Sequence, residues 1–425
     1  MVTKSKIYKA VIIIVSMYML EFFDMFMPSG NTDMFRVIIG VIAIILAIPT
    51  VCIRNKSARL KEQLDFANRF FVIYIPIILL TAVVSVIWYK YKFMSTLAIV
   101  MPYFFPLYAY PLIYIFSRDN TYEKYMKKIT GLVVMMLAIK AVVWYMYNYK
   151  GIIMFPKLLF KYSDKWVRNG MMRMDVGYLY GVALCFFLCM FFVKHKRKAA
   201  IIAGGMGLFV VFITQYRYLE IVVLITVLLV YLTSTDSNKK ELIRILLLAT
   251  AGILFIALGG LDSILASFSF ENKDYGSSNE ARLITIDYFW NIMDGIQYVI
   301  GLGFLYSYSP RASAILIRSS TLSYWMEDIG IFGGFFTFGI LSFAIYVPLF
   351  WRSIKASFLA VRNKYIDRAY LTSLVGYMIV CCIMLNILDR QRLFDTAFYV
   401  ALISFISSRK ETRVHHPRLK PHAEA

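Results

Sequence analysis

Two charges interrupt an apolar run in 212-FITQYRYLEIVVLITVLLVYL-232: Arg217 and Glu220. Each alone in hydrocarbon costs about 3 kcal/mol at a helix centre. Their three-residue spacing puts both on one helical face, where they can pair. Arginine recurs in the two longest connectors, as Arg168 and Arg173 within 149–175 and as Arg282, Arg311 and Arg318 within 261–328. Its planar, permanently charged fork binds phosphate bidentately, and several such forks facing one cavity suit a diphosphate. The familiar catalytic signatures are absent: there is no HExxH, GxxxxGK[ST] or GxSxG, and 301-GLGFLY-306 lacks the third glycine and flanking strand of a dinucleotide loop.

The elements that position these arginines follow from composition. Of 425 residues 60% are hydrophobic and 17% charged, with a mean hydropathy of +0.66, so the chain reads as one polytopic, all-α membrane domain. Apolar runs against charged breaks give about 12 spans. They fall near 8–25, 35–53, 70–89, 93–116, 129–148, 175–193, 199–215, 218–233, 242–260, 329–350, 369–388 and 392–408. The basic start and apolar core of 1-MVTKSKIYKAVIIIVSMYML-20 have no small-x-small site after them and read as an uncleaved first span.

The net charge of +21 is spread over connectors as topology signals, not gathered into a nucleic-acid patch. Basic connectors such as 54-RNKSARLKEQLDFANR-69 and 352-RSIKASFLAVRNKYIDR-368 put both termini and the basic tail 409–425 in the cytoplasm. The loops 149–175 and 261–328 are then external. Within the second, a helix starting at Asn279 and running to Met293 has Leu283, Ile286, Phe289, Trp290 and Met293 on one side, as a surface helix does. All four histidines fall on the cytoplasmic side, and the five cysteines lie in or at the ends of apolar runs with no zinc-type spacing.

The order of these features resembles the Wzy-type O-antigen and capsule polymerases and the related O-antigen ligases, GT-C-like membrane glycosyltransferases that use polyprenyl-diphosphate-linked sugars. The matching stretches are 168-RNGMMRMDVGYLYG-181, similar to the family's Arg-x-x-Gly approach to a span; 214-TQYR-217, similar to its corner arginine; and 282-RLITIDYFWNIMDGIQYVIGLGF-304, similar to its arginine, aromatic helix and Gly-x-Gly. The stretch 322-LSYWMEDIGIFGGFFTFGIL-341 resembles its return span. Tyr216 stands where the family has a small serine. The histidine typical of ligases is missing from 318-RSSTLSYW-325, which favours a polymerase.

The resemblance implies transfer of a growing glycan from its polyprenyl-diphosphate carrier onto the next lipid-linked repeat unit, at the outer face of a bacterial cytoplasmic membrane. It implies no metal and no cofactor, and as partners the lipid-linked oligosaccharide, membrane lipids, a chain-length regulator and a flippase. Arg217 would stabilise the departing diphosphate with Glu220 orienting it, and Arg282 and Arg168 would be further phosphate ligands. Arg173, Arg318, Tyr216, Gly301 and Gly303 complete the substrate-binding set. Asp175, Glu220 and Glu327 are the carboxylates that could serve as base. The rivals are a ligase and a polysaccharide flippase, though a transporter usually shows paired halves with broken mid-span helices. Lys140, mid-span, reads as an ion-pair partner of Glu21 or Asp24, 204-GGMG-207 and 330-GIFGG-334 as close helix packing, and Asp389, Arg390 and Arg392 as a capped external turn.

Overall fold

The computed structural model describes residues 2–26, 32–53, 57–118, 122–161, 166–235, 276–317, 324–363 and 367–408. The span expected at 242–260, Arg318 and the tail 409–425 lie outside the described residues. In chain order the elements are α1 (Val2–Met19), α2 (Thr32–Ile53), α3 (Ala58–Tyr89), α4 (Phe93–Val100), α5 (Ala109–Ser117), α6 (Tyr122–Lys150) and α7 (Pro156–Leu159). The hairpin β1 (Val167–Arg168) and β2 (Met171–Met172) precedes α8 (Tyr180–Phe192), α9 (Arg197–Leu208), α10 (Arg217–Thr233) and α11 (Gly276–Ile292). Then come α12 (Gln297–Ile300), α13 (Pro310–Leu316), α14 (Ile331–Phe338), α15 (Leu341–Arg362), α16 (Arg368–Met384) and α17 (Leu393–Ser407).

The chain is a membrane-embedded helical protein. Among the described residues six segments are long and apolar enough to cross a bilayer: Asp33–Cys52, Ala58–Tyr89, Phe93–Ser117, Tyr122–Lys150, Arg197–Thr214 and Leu341–Arg362. Three shorter apolar helices, α8, α16 and α17, fall short of the roughly 20 residues that a 30 Å core demands. The run read as one span over 329–350 is broken at Gly339, whose φ of +61° ends α14 and where a Cβ would lie 2.5 Å from the backbone of Val299 and Gly301.

The core lies where residues 98–116 and α17 meet, both mostly buried. Proline dictates the local geometry there. In 101-MPYFFPLY-108 the ring nitrogens of Pro102 and Pro106 cannot donate to the preceding turn, and the span tightens to 3-10 geometry over Met101–Tyr108. Of the glycine clusters, 330-GIFGG-334 is tightly packed: a Cβ on Gly330 would sit 2.0 Å from the Ile383 carbonyl oxygen and one on Gly334 2.4 Å from the Tyr346 hydroxyl. The expectation for 204-GGMG-207 differs, since a Cβ on Gly204, Gly205 or Gly207 would meet nothing within 4 Å among the described residues.

The segment 301-GLGF-304 is clasped from two sides. Leu302 N and Gly303 N donate to the Phe336 and Thr337 carbonyls at the end of α14. The Ser85 hydroxyl accepts from Phe304 N at 2.7 Å, and the Tyr89 hydroxyl donates to the Leu302 carbonyl at 2.5 Å. Gly301 and Gly303 have φ of +78° and +80°, and a Cβ on Gly301 would lie 2.2 Å from the Thr337 oxygen. Gly301→Ala is therefore expected to destabilise the protein by about 1–3 kcal/mol from the backbone conformation alone, seen as a lowered unfolding temperature in detergent. An unchanged temperature would mean that this clasp is not needed for folding.

Candidate functional site

The connectors converge on a cavity of about 600 Å³. Its wall includes five cations, Lys161, Arg168, Arg173, Arg282 and Arg392, against three carboxylates, Asp175, Glu327 and Asp328. Tyr216, Trp166, Trp325 and Gln391 also face it. It is thus a partly apolar hollow with an excess of positive charge, the electrostatics a bound anion requires.

Each arginine is placed by local structure. Asn169 and Gly170 both take positive φ, 52° and 73°, which closes β1 onto β2 through a tight two-residue turn of the Asn-Gly type. The hairpin is docked on α6: the Trp144 indole donates to the Met172 carbonyl at 2.7 Å, and the Asn148 side-chain oxygen accepts from Met172 N at 2.8 Å. Arg168 ends β1 and Arg173 follows β2. Arg168 donates to the Gln215 carbonyl at 2.6 Å, and the Arg173 guanidinium lies 4.3 Å over the Trp166 ring.

Gln215 itself is left-handed, with φ of 51°, and ends the wide helical turn Phe209–Thr214 so that α10 can start after Tyr216. Arg282, in the first half of α11, stacks over the Tyr216 ring at 5.9 Å and donates from Nε to the Asp328 carbonyl at 3.2 Å. α11 is anchored beneath by Phe289, fully buried, and by Tyr288 stacked on Tyr324 at 4.0 Å.

The structure therefore brings together Arg168, Arg173, Asp175, Tyr216, Arg282 and Glu327 of the residues singled out in the sequence. Arg217 and Glu220 stand one step away on the first turn of α10, half-buried and outside this wall. The Arg217 charge acts electrostatically on Glu220 from the same turn. Gly301 and Gly303 also lie outside the wall and serve the clasp described above.

Arg392, Lys161 and Asp328 enter the wall without having been picked out as site residues. The Arg392 Nε is buried and has no hydrogen-bond partner among the described residues. The signal for it was the density of charge in 389-DRQR-392, a short connector between two apolar runs.

The three carboxylates read as candidate bases differ sharply in their surroundings. Asp175 belongs to a four-charge cluster that is buried at Lys140 and Glu21 and opens outward at Lys161. Lys140, 2% exposed, pairs with Glu21 at 2.9 Å and with Asp175 at 2.7 Å. Lys161 pairs with the other Asp175 oxygen at 2.7 Å and with Glu21. Burial pushes the Asp175 carboxyl up, but the Lys140 and Lys161 charges outweigh it and hold it well below the usual range. A carboxylate so held is a poor proton acceptor.

Glu327 has the opposite balance. Burial pushes its carboxyl up, and this outweighs the hydrogen bond from Gln391 at 2.6 Å and the charge of Arg390. Glu220 lies outside the cavity wall. Among the described residues no group of three His, Cys, Asp or Glu side chains is arranged to hold a metal ion.

The Lys140 cluster carries a prediction of its own. Lys140→Met leaves Glu21 and Asp175 buried with one ammonium between them, and loss of one partner of a buried pair costs about 3–5 kcal/mol. Lys140→Met combined with Glu21→Gln keeps the Lys161–Asp175 pair and should recover much of that loss in thermal unfolding. Equal destabilisation of the single and double variants would show that the pairing is not what matters.

Comparison with family models, with curated proteins and with solved structures finds no match for this chain.

Proposed function

We propose that this protein is a polysaccharide polymerase that transfers a growing glycan from its polyprenyl-diphosphate carrier onto the next lipid-linked repeat unit, at the outer face of a bacterial cytoplasmic membrane. The observation that carries the reading is the cavity whose wall holds Arg168, Arg173, Arg282 and Arg392 beside two carboxylates with burial against their charge, Glu327 and Asp328. In this reading the four arginines take the diphosphate, which departs as the bond from the sugar C1 to the phosphate oxygen breaks. The acceptor hydroxyl oxygen forms the new bond to C1, and its proton passes to Glu327. Arg217 then acts from behind Tyr216, through the corner 214-TQYR-217.

In the same reading the chain has about 12 spans, with both termini cytoplasmic and 149–175 and 261–328 outside. The connectors that build the cavity are the ones the basic-residue pattern assigns to a single face. The test is reconstitution: purified protein given a polyprenyl-diphosphate-linked oligosaccharide should release polyprenyl diphosphate and form glycans of two or more repeat units. Movement of the intact lipid-linked unit across the bilayer without chain growth would support a flippase instead.

A further inference from the structure

A second cavity, of about 180 Å³, adjoins the first, and the two share Trp325 and Glu327. Its chemistry is different. Apart from the shared Glu327, the charged groups on its wall are Asp389 and Arg390, so it has no excess of positive charge. Three tyrosines face it: Tyr103, Tyr306 and Tyr308. Tyr103 comes from the proline-tightened turn, stacks on Phe304 at 4.1 Å and has its hydroxyl 3.3 Å from that of Tyr306.

The polar groups are buried and only partly satisfied. Arg390, 8% exposed, donates from one terminal nitrogen to Asp33 at 2.8 Å and lies 5.3 Å over the Tyr306 ring. Its Nε is buried with no hydrogen-bond partner among the described residues. Asp389, 7% exposed, accepts from Gln391 N at 3.2 Å. A pocket that combines ring faces with both acceptor carboxylates and a buried unused donor suits a ligand that is apolar on its faces and rimmed with hydroxyls. Its volume lies below the roughly 300 Å³ at which drug-sized pockets begin, which matches a single sugar ring. An anion would meet two carboxylates for one arginine that is already paired.

We propose that this cavity binds the acceptor, through one neutral pyranose ring whose reacting hydroxyl is turned toward Glu327. The inference rests on the reading of the arginine-lined cavity as the diphosphate site. Glu327, on both walls, then stands where the acceptor oxygen meets the donor C1. The new C–O bond forms as the C1–phosphate bond breaks, the electron pair leaves with the diphosphate, and the hydroxyl proton goes to Glu327.

The test measures binding by the purified full-length protein in lipid nanodiscs. The probes are glucose, galactose, N-acetylglucosamine and glucuronate for the small cavity, and undecaprenyl diphosphate for the large one. Ser307 lines the small cavity from an exposed loop, so Ser307→Trp should fill it without disturbing the core. Tyr308→Ala removes part of its aromatic wall.

At least one neutral sugar should bind the wild type. Ser307→Trp should weaken it by about tenfold or more, a loss of about 1.4 kcal/mol, and Tyr308→Ala should weaken it too, with undecaprenyl diphosphate held within about twofold in both. The proposal is overturned if no neutral sugar binds, if glucuronate binds at least as tightly, or if sugar affinity is unchanged in both variants. Wild-type protein that binds the sugar but not undecaprenyl diphosphate would refute the diphosphate reading and leave the sugar site standing.

Discussion

Replacing Arg282 with alanine should lower polymer synthesis by about a hundredfold while leaving the amount of protein in the membrane unchanged. The size of the effect is that of removing one charge-stabilising donor from a water-poor site, about 3 kcal/mol. Arg282 is well placed for it. It is half-buried in the cavity wall, and its fork is oriented by the Asp328 carbonyl and the Tyr216 ring. Arg282→Lys should recover little, because an ammonium is a point charge that cannot span two phosphate oxygens. Normal polymer length and yield from Arg282→Ala would remove this residue from the site.

Glu327→Gln should cost about a hundredfold or more in turnover, the usual worth of a positioned base, and it should do so without weakening the fold. The sign follows from the environment. Burial holds the Glu327 carboxyl above its ordinary value, with Asp328 adding negative charge nearby and Gln391 and Arg390 opposing it. A carboxylate raised in the folded state contributes stability that is complete below its unfolded value, near 4.3, and is lost as pH rises through the folded value. Once ionised, the side chain is thus a burden on the fold, which glutamine relieves. Turnover runs the other way, rising with pH as Glu327 ionises, on a limb displaced upward from that of a solvated carboxylate.

Thermal unfolding and turnover measured across pH on wild type and Glu327→Gln check both statements. Asp175→Asn is the contrast: it removes one of the two counter-charges of Lys140 and Lys161, leaving Glu21, and should lower stability. Glu327→Gln with activity within about threefold of wild type would exclude it as the base.

Much of the site was legible because some of its parts are local. The helix from about residue 279 to 293 and the corner at 214–217 are set by neighbouring residues, and the structure has a helix over Gly276–Ile292 and a break at Gln215 and Tyr216. Lys140 pairing with Glu21 could be anticipated because a buried ammonium needs a partner. What the sequence could not say was which distant segments meet. The second Lys140 partner, Asp175, the clasp of 301–304 between α3 and α14, and Arg392 in the cavity wall depend on tertiary contacts that leave no local pattern. The break at Gly339 was hidden for a related reason: its neighbours read as apolar throughout, and only the close approach of residues 299–301 requires the left-handed turn.

The claim that this protein lengthens a glycan is tested most directly by the size distribution of lipid-linked and surface glycan in a strain from which its gene has been deleted. The account predicts collapse to single repeat units, restored to long polymer by the wild-type gene and not by Arg282→Ala or Glu327→Gln. Polymer of normal length and amount in the deletion strain would contradict it.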